Sequence, residues 1–228
     1  MSFRSKLEEL INALEQYKEE LYKHCWYPSS GESLKWWAGF NNPFHIAVTA
    51  VLVAMTKWSI AERAFNRLTA LGLSNPEELS SVDPMRLAEE LKGVSFRVRK
   101  AKAIVNLAKA FKSLSNSESV EELRAKLLAV GIGRETADAI ALYAFNKQTI
   151  PVSRQTTRVF KRYGVPVSSY ESMRKSIVEA LNGDLYKLKL LHSAMTVIAR
   201  EYCKPKRPVC KECPLKNQCR SALTPLQF

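Results

Sequence analysis

Three Asx-Pro pairs, Asn42-Pro43, Asn75-Pro76 and Asp83-Pro84, punctuate this chain, and each opens a stretch of helical periodicity. A short side-chain oxygen ahead of proline offers an acceptor at the helix N-cap. Proline's fixed φ suits the first helical position, where its missing N–H is no loss. The segment PMRLAEELKG carries the whole signature, with Gly93 placed to stop the helix. The same period recurs over 58–71, 98–114, 120–130, 135–145, 154–163, 171–181 and 185–202. At the N-terminus Leu7, Leu10, Ile11, Leu14 and Leu21 mark one face of an amphipathic helix. Only QTIPV, 148–152, reads as strand, and one short strand builds no sheet. The expected fold class is all-α.

With 228 residues, 46% of them hydrophobic, the chain can bury a core as one large domain or two small ones. Its net charge of +13 favours a polyanionic partner, nucleic acid or an anionic membrane surface. The membrane reading fails on length. The most apolar run, Phe44 to Met55, contains His45 and Thr49 and falls well short of the roughly 20 residues that span a bilayer, so it reads as a buried core helix. No signal-peptide pattern opens the chain, and the expected setting is intracellular, cytoplasmic or nucleoid-associated, where five cysteines form no disulfides. The basic excess is local. Arg97 to Lys112 holds six basic residues and no acid, Arg154 to Arg162 four and none, and Arg200 to Arg220 seven against two. Together these segments carry more than the whole net charge, which favours a nucleic-acid surface over three independently solvated helix faces.

Cys203, Cys210, Cys213 and Cys219 stand as C-x6-C-x2-C-x5-C in a segment with almost nothing to form a core. Metal–thiolate bonds would replace the missing apolar burial. Spacing alone leaves structural Zn and an iron–sulfur cluster equally open. Cys25 lies outside the pattern and reads as a packed thiol. A second motif, LLAVGIGRETADAIALYAF at 127–145, joins two amphipathic helices through Gly131-Ile132-Gly133. The glycines permit a tight turn and leave no Cβ between the backbone amides and an incoming anion. Amides at the start of the next helix, with Arg134 and Thr136, then face a phosphate, and Ile132 packs beneath.

Both motifs are similar to those of the endonuclease III-like DNA glycosylases of the helix-hairpin-helix superfamily. WWAGFNNPFHIAVTAVLVAMTKW (36–58), GIGRETADAIALYAF and KPKRPVCKECPL resemble in particular the branch that includes bacterial 3-methyladenine glycosylases. The resemblance covers most of the chain. It implies two helical domains flanking a DNA-binding cleft: a six-helix barrel over 36–150 ending in the hairpin, and a second domain formed by 1–35 and 151–228. It also implies a C-terminal 4Fe-4S loop held by the four cysteines, in preference to Zn, with Lys204, Lys206 and Arg207 on DNA phosphates. Double-stranded DNA with a damaged or flipped base is the implied partner of a monomer. Arg154 and Arg158 join the implied DNA contacts, and Met55 takes the position of a gap-filling Gln.

The chain departs from the family where chemistry is done. Such enzymes flip a nucleotide and cleave its N-glycosidic bond, and a carboxylate stabilises the cationic sugar. In the PVSRQTTR stretch, Ser153 stands where the family has that Asp. Glu135 stands where the bifunctional members have a Schiff-base Lys, and a carboxylate cannot form an imine. Glu135 and Asp138 are conceivable replacements for the missing carboxylate, against plainer roles in capping and packing. His24 and His192 read as packed or surface residues. Trp26, Tyr27, Trp36, Trp37 and Trp58 are mostly core, with one or two available to stack on a cationic base. The reading favoured is a DNA-binding protein of base excision repair with degenerate catalytic positions. The alternative is a monofunctional N-glycosylase for alkylated purines, without lyase activity. A Zn-stabilised RNA binder is a third reading.

Overall fold

The computed structural model describes residues 2–223. Among them are twelve α-helices: α1 (Phe3–Glu15), α2 (Pro43–Val53), α3 (Trp58–Ala70), α4 (Pro76–Ser80), α5 (Pro84–Glu90), α6 (Arg97–Phe111), α7 (Val120–Ala129), α8 (Arg134–Ala144), α9 (Arg154–Tyr163), α10 (Tyr170–Ala180), α11 (Leu185–Glu201) and α12 (Arg220–Leu223). The side chains of Asn42, Asn75 and Asp83 accept backbone N–H bonds from the first turns of α2, α4 and α5, each with proline in that turn. The all-helical class holds. The expected strand at 148–152 does not form: Thr149 to Val152 are buried without regular secondary structure. The one β-bridge among the described residues joins Trp26 to Trp37.

The chain divides into two compact units. In the first, Phe40–Lys147, α2 is apolar on every side and is enclosed by α3, α6 and α8. Helices α4 and α5 pack on α6, and α7 on α8. Asp138 of α8 is fully buried and pairs with Arg124 of α7 at 2.9 Å, so it is a structural ion pair inside the hairpin.

The second unit combines the chain before Phe40 with the chain from Gln148 onward. Its centre is α11, which buries Leu188, Leu190, Leu191, Ala194, Met195, Val197 and Ile198 against α1, α9 and a 3-10 turn at Lys18–His24. Leu7, Leu10, Ile11 and Leu14 form the buried face of α1 as its period requires. Leu21 lies beyond the end of that helix and reaches the core from the 3-10 turn. Trp26, Trp36 and Trp37 are buried, whereas Tyr27 is exposed. His192 is buried edge-on to Trp26, with its pKa driven down to about 3 by desolvation. It is therefore a neutral core residue.

Candidate nucleic-acid interface and cysteine loop

The turn between α7 and α8 is a Schellman motif. Gly131 N–H donates to Leu128 O at 3.0 Å and Ile132 N–H to Leu127 O at 3.2 Å. The motif needs a left-handed residue after the helix end, and Gly131 supplies it at φ +91. Ile132 is buried beneath the turn. Gly133 differs, because its φ is −72 and a Cβ built there would meet nothing within 4 Å. Neither conformation nor internal packing requires glycine at that place. What its absent side chain does leave open is the approach to the α8 N-terminus, where first-turn amides and the helix dipole favour an anion.

Beside the glycines lies a cavity lined by Met55, Phe96, Arg99, Lys100, Gly131, Gly133 and Thr136, among others. Val53 to Thr56 forms a turn closed by Thr56 N–H donating to Val53 O at 2.9 Å. Ala54 at φ −53, ψ 117 and Met55 at φ 56 match a type II turn, whose third position favours Gly or Asn. Met55 is nonetheless held there, 83% exposed. Phe96, 66% exposed, also has a left-handed backbone and precedes α6, a place where Ser, Thr or Asp is usual. Two large apolar side chains thus stand out from disfavoured backbones at the rim of one cavity. Sequence reasoning found Met55 but missed Phe96, hidden beside a run of basic residues. It also counted Lys100 in that basic run as part of a nucleic-acid surface, whereas Lys100 is buried, its pKa pulled down to about 8 by desolvation and then by Arg99.

Ser153 is the N-cap of α9, its Oγ accepting from Thr156 N–H at 3.0 Å. Glu135 lies in the first turn of α8, an exposed residue whose carboxyl is partly shielded by its surroundings. The surrounding protein raises its carboxyl above the usual range, and the Arg134 guanidinium opposes that rise. Arg134 and Arg154 are exposed, as are Lys204, Lys206 and Arg207. Arg158, expected on DNA, is turned inward instead. Its Nε donates to Cys203 O at 2.8 Å and its Nη2 to Ala199 O at 3.1 Å, because the end of α11 leaves carbonyls that need donors.

One turn later on α9, Arg162 donates to Lys204 O at 2.7 Å and Pro205 O at 2.8 Å. The two arginines strap the start of the cysteine loop. All four thiols, Cys203, Cys210, Cys213 and Cys219, line one cavity with Val159, Ile198 and Leu215. Burial raises Cys213 to about 11, with the other three thiols adding to the rise, and Cys219 is raised for the same reasons. A site built of four sulfurs with apolar walls and nearby cationic arginines suits an anionic thiolate centre. Among the described residues no three His, Cys, Asp or Glu side chains converge as a single ion requires.

Residues 48–182 match the family model of the HhH-GPD superfamily base excision DNA repair proteins. The chain belongs to this superfamily. A candidate DNA repair glycosylase of Methanocaldococcus jannaschii is 31% identical to this HhH-GPD chain over 197 residues, covering 82% of it and 89% of the relative. Endonuclease III of Thermotoga maritima is 27% identical over 184 residues, or 78% and 83% of the two chains. Among solved structures, a non-covalent endonuclease III–DNA complex superposes with TM-score 0.71 at 23% identity, covering 98% of both chains. The Helicobacter pylori 3-methyladenine DNA glycosylase bound to 1,N6-ethenoadenine gives TM-score 0.68 at 21% identity, covering 88% of this chain and 98% of that one. The HhH-GPD fold thus extends over nearly the whole length, endonuclease III-like in both units. No helix among the described residues is long and apolar enough to cross a membrane.

Proposed function

We propose that the protein binds damaged duplex DNA in base excision repair and that its hydrolytic chemistry is absent or weak. The observation that carries this reading is the shared cavity of the hairpin glycines, Met55 and Phe96. Gly131, Ile132, Gly133, Arg134 and Thr136 hold a backbone phosphate at the α8 N-terminus. Met55 and Phe96 enter the stack where a nucleotide has been turned out, an apolar wedge with a cost of a few kcal/mol per unstacked step. Arg154, Lys204, Lys206 and Arg207 add phosphate contacts that fix orientation without reading sequence. Cys203, Cys210, Cys213 and Cys219 hold a 4Fe-4S cluster that organises their loop. When bound, the cluster supplies metal–thiolate bonds in place of an apolar core.

At the reacting centre the chain offers a hydroxyl where the family carries a carboxylate. The Ser153 Oγ is already engaged in capping α9 and brings no negative charge to a cationic sugar. Glu135 favours a second reading. It places a carboxyl at the hairpin mouth, where it could serve N3- or N7-alkylated purines, whose positive charge already makes them good leaving groups. Glycosylase names among the relatives, a DNA repair glycosylase and a 3-methyladenine DNA glycosylase, support a glycosylase reading, and with no lysine at position 135 that alternative is a monofunctional enzyme without lyase activity.

The deciding experiment measures base release from duplex DNA bearing alkylated purines, with protein in excess. Asp caps a helix as well as Ser does, so Ser153→Asp should fold normally. We expect no release by the wild type and measurable release by Ser153→Asp. Release by the wild type that disappears in Glu135→Gln would establish the second reading.

A further inference from the structure

The two exposed apolar side chains are joined by a single buried ammonium. Lys100 follows Phe96 by one turn, its N–H donating to Phe96 O at 3.0 Å. Its Nζ donates to Leu52 O at 2.7 Å, to Ala54 O at 2.5 Å and to Thr56 Oγ1 at 3.0 Å. The Leu52 and Ala54 carbonyls end α2 immediately before Met55, where the helix supplies no further donors. The Thr56 hydroxyl accepts in turn from the Ser95 N–H at 3.2 Å, one residue before Phe96. A continuous polar path therefore runs from the turn that carries Met55, through Lys100 and Thr56, to the loop that carries Phe96.

This arrangement answers a question that each residue raises alone. A left-handed Met and a left-handed Phe both persist only where surrounding contacts over-determine them. For Met55 those contacts are the two carbonyls held by Lys100. For Phe96 they are the Ser95 amide held by Thr56 and the first helical bond of α6. Burying a lysine is costly unless its donors are satisfied, and here all three find oxygen. An apolar side chain in its place would leave the end of α2 without those partners.

We propose that Lys100 is a positioning residue that locks the Met55 turn to the Phe96 loop, so that the two side chains enter DNA as one paired wedge. The proposal rests on the insertion reading above and adds that neither side chain is presented correctly once the path is broken. Met55 and Phe96 then act as a unit, and disturbing the link disables both without touching either.

The test uses the full-length protein and a duplex with 2-aminopurine beside an abasic-site analogue. Fluorescence is read with protein saturating, so that the signal reports unstacking and not occupancy. The wild type should give a clear rise that the double variant M55A/F96A lacks. Lys100→Met and Thr56→Val should each fall to less than about a third of the wild-type rise, while Thr56→Ser, which keeps the hydroxyl, restores it. Thermal melts accompany each variant; if Lys100→Met fails to fold, the Thr56→Val and Thr56→Ser pair decides. A full rise in Thr56→Val overturns the role of Lys100 and leaves insertion standing. A wild type no brighter than M55A/F96A overturns the insertion reading, and this proposal with it.

Discussion

Met55 is the clearest case of a residue chosen against its backbone. The third position of a type II turn is served best by Gly or Asn, and a bulky side chain there stores of order 1 kcal/mol of strain. Met55→Asn should therefore stabilise the protein by about 0.5–1 kcal/mol in urea denaturation while removing the apolar wedge. An unchanged or lower denaturation midpoint would mean that the turn carries no strain. Met55 was singled out in the sequence because the family resemblance places it at the position of a gap-filling Gln. Phe96 was not, since nothing in the run SFRVRK announces a positive φ. Lys100 was misread for a related reason: a lysine among basic neighbours reads as part of a phosphate-binding surface until the carbonyls it serves, nearly fifty residues earlier in the chain, are brought to it. Asp138 and His192 were easier, because buried groups of those types are usually paired or neutral, and here they are.

Among the elements, α9 does three things along its ten residues. Its first turn is capped by Ser153, its buried face packs on α11, and its later turns send Arg158 and Arg162 to the cysteine loop. Protein purified without oxygen should be brown and carry about four irons per chain, and finding one Zn with no iron would exclude the cluster. Arg162→Ala should lose iron faster in air than the wild type, followed by visible absorbance, because the loop is then no longer strapped to the helix. Equal loss rates would show that the strap is dispensable. The existence and limits of α9 were plain from periodicity, and so was the all-helical class. The destination of its arginines was not. A guanidinium on a basic helix reads the same whether it meets a phosphate or a carbonyl, and only the folded chain shows which oxygen lies within reach.

Over the whole molecule, charge is the property with a direct thermodynamic reading. With a net charge of +13 and exposed basic residues at the hairpin, on α9 and in the cysteine loop, duplex binding should be strongly salt-dependent. Affinity should drop by at least about a hundredfold between about 50 and 200 mM salt, measured by fluorescence anisotropy. A flat response would argue against phosphate contacts as the source of binding. The division into units has a consequence of another kind, in the order in which the protein is made. The unit from Phe40 to Lys147 is continuous and can complete its core as soon as it leaves the ribosome. Helix α1 cannot, because its leucine face is covered by α11, which begins at Leu185. At translation rates of about 5–20 residues per second, that face waits on the order of ten to thirty seconds for its partner. During this interval the leucine face of α1 is an uncovered apolar surface, a natural target for a nascent-chain chaperone.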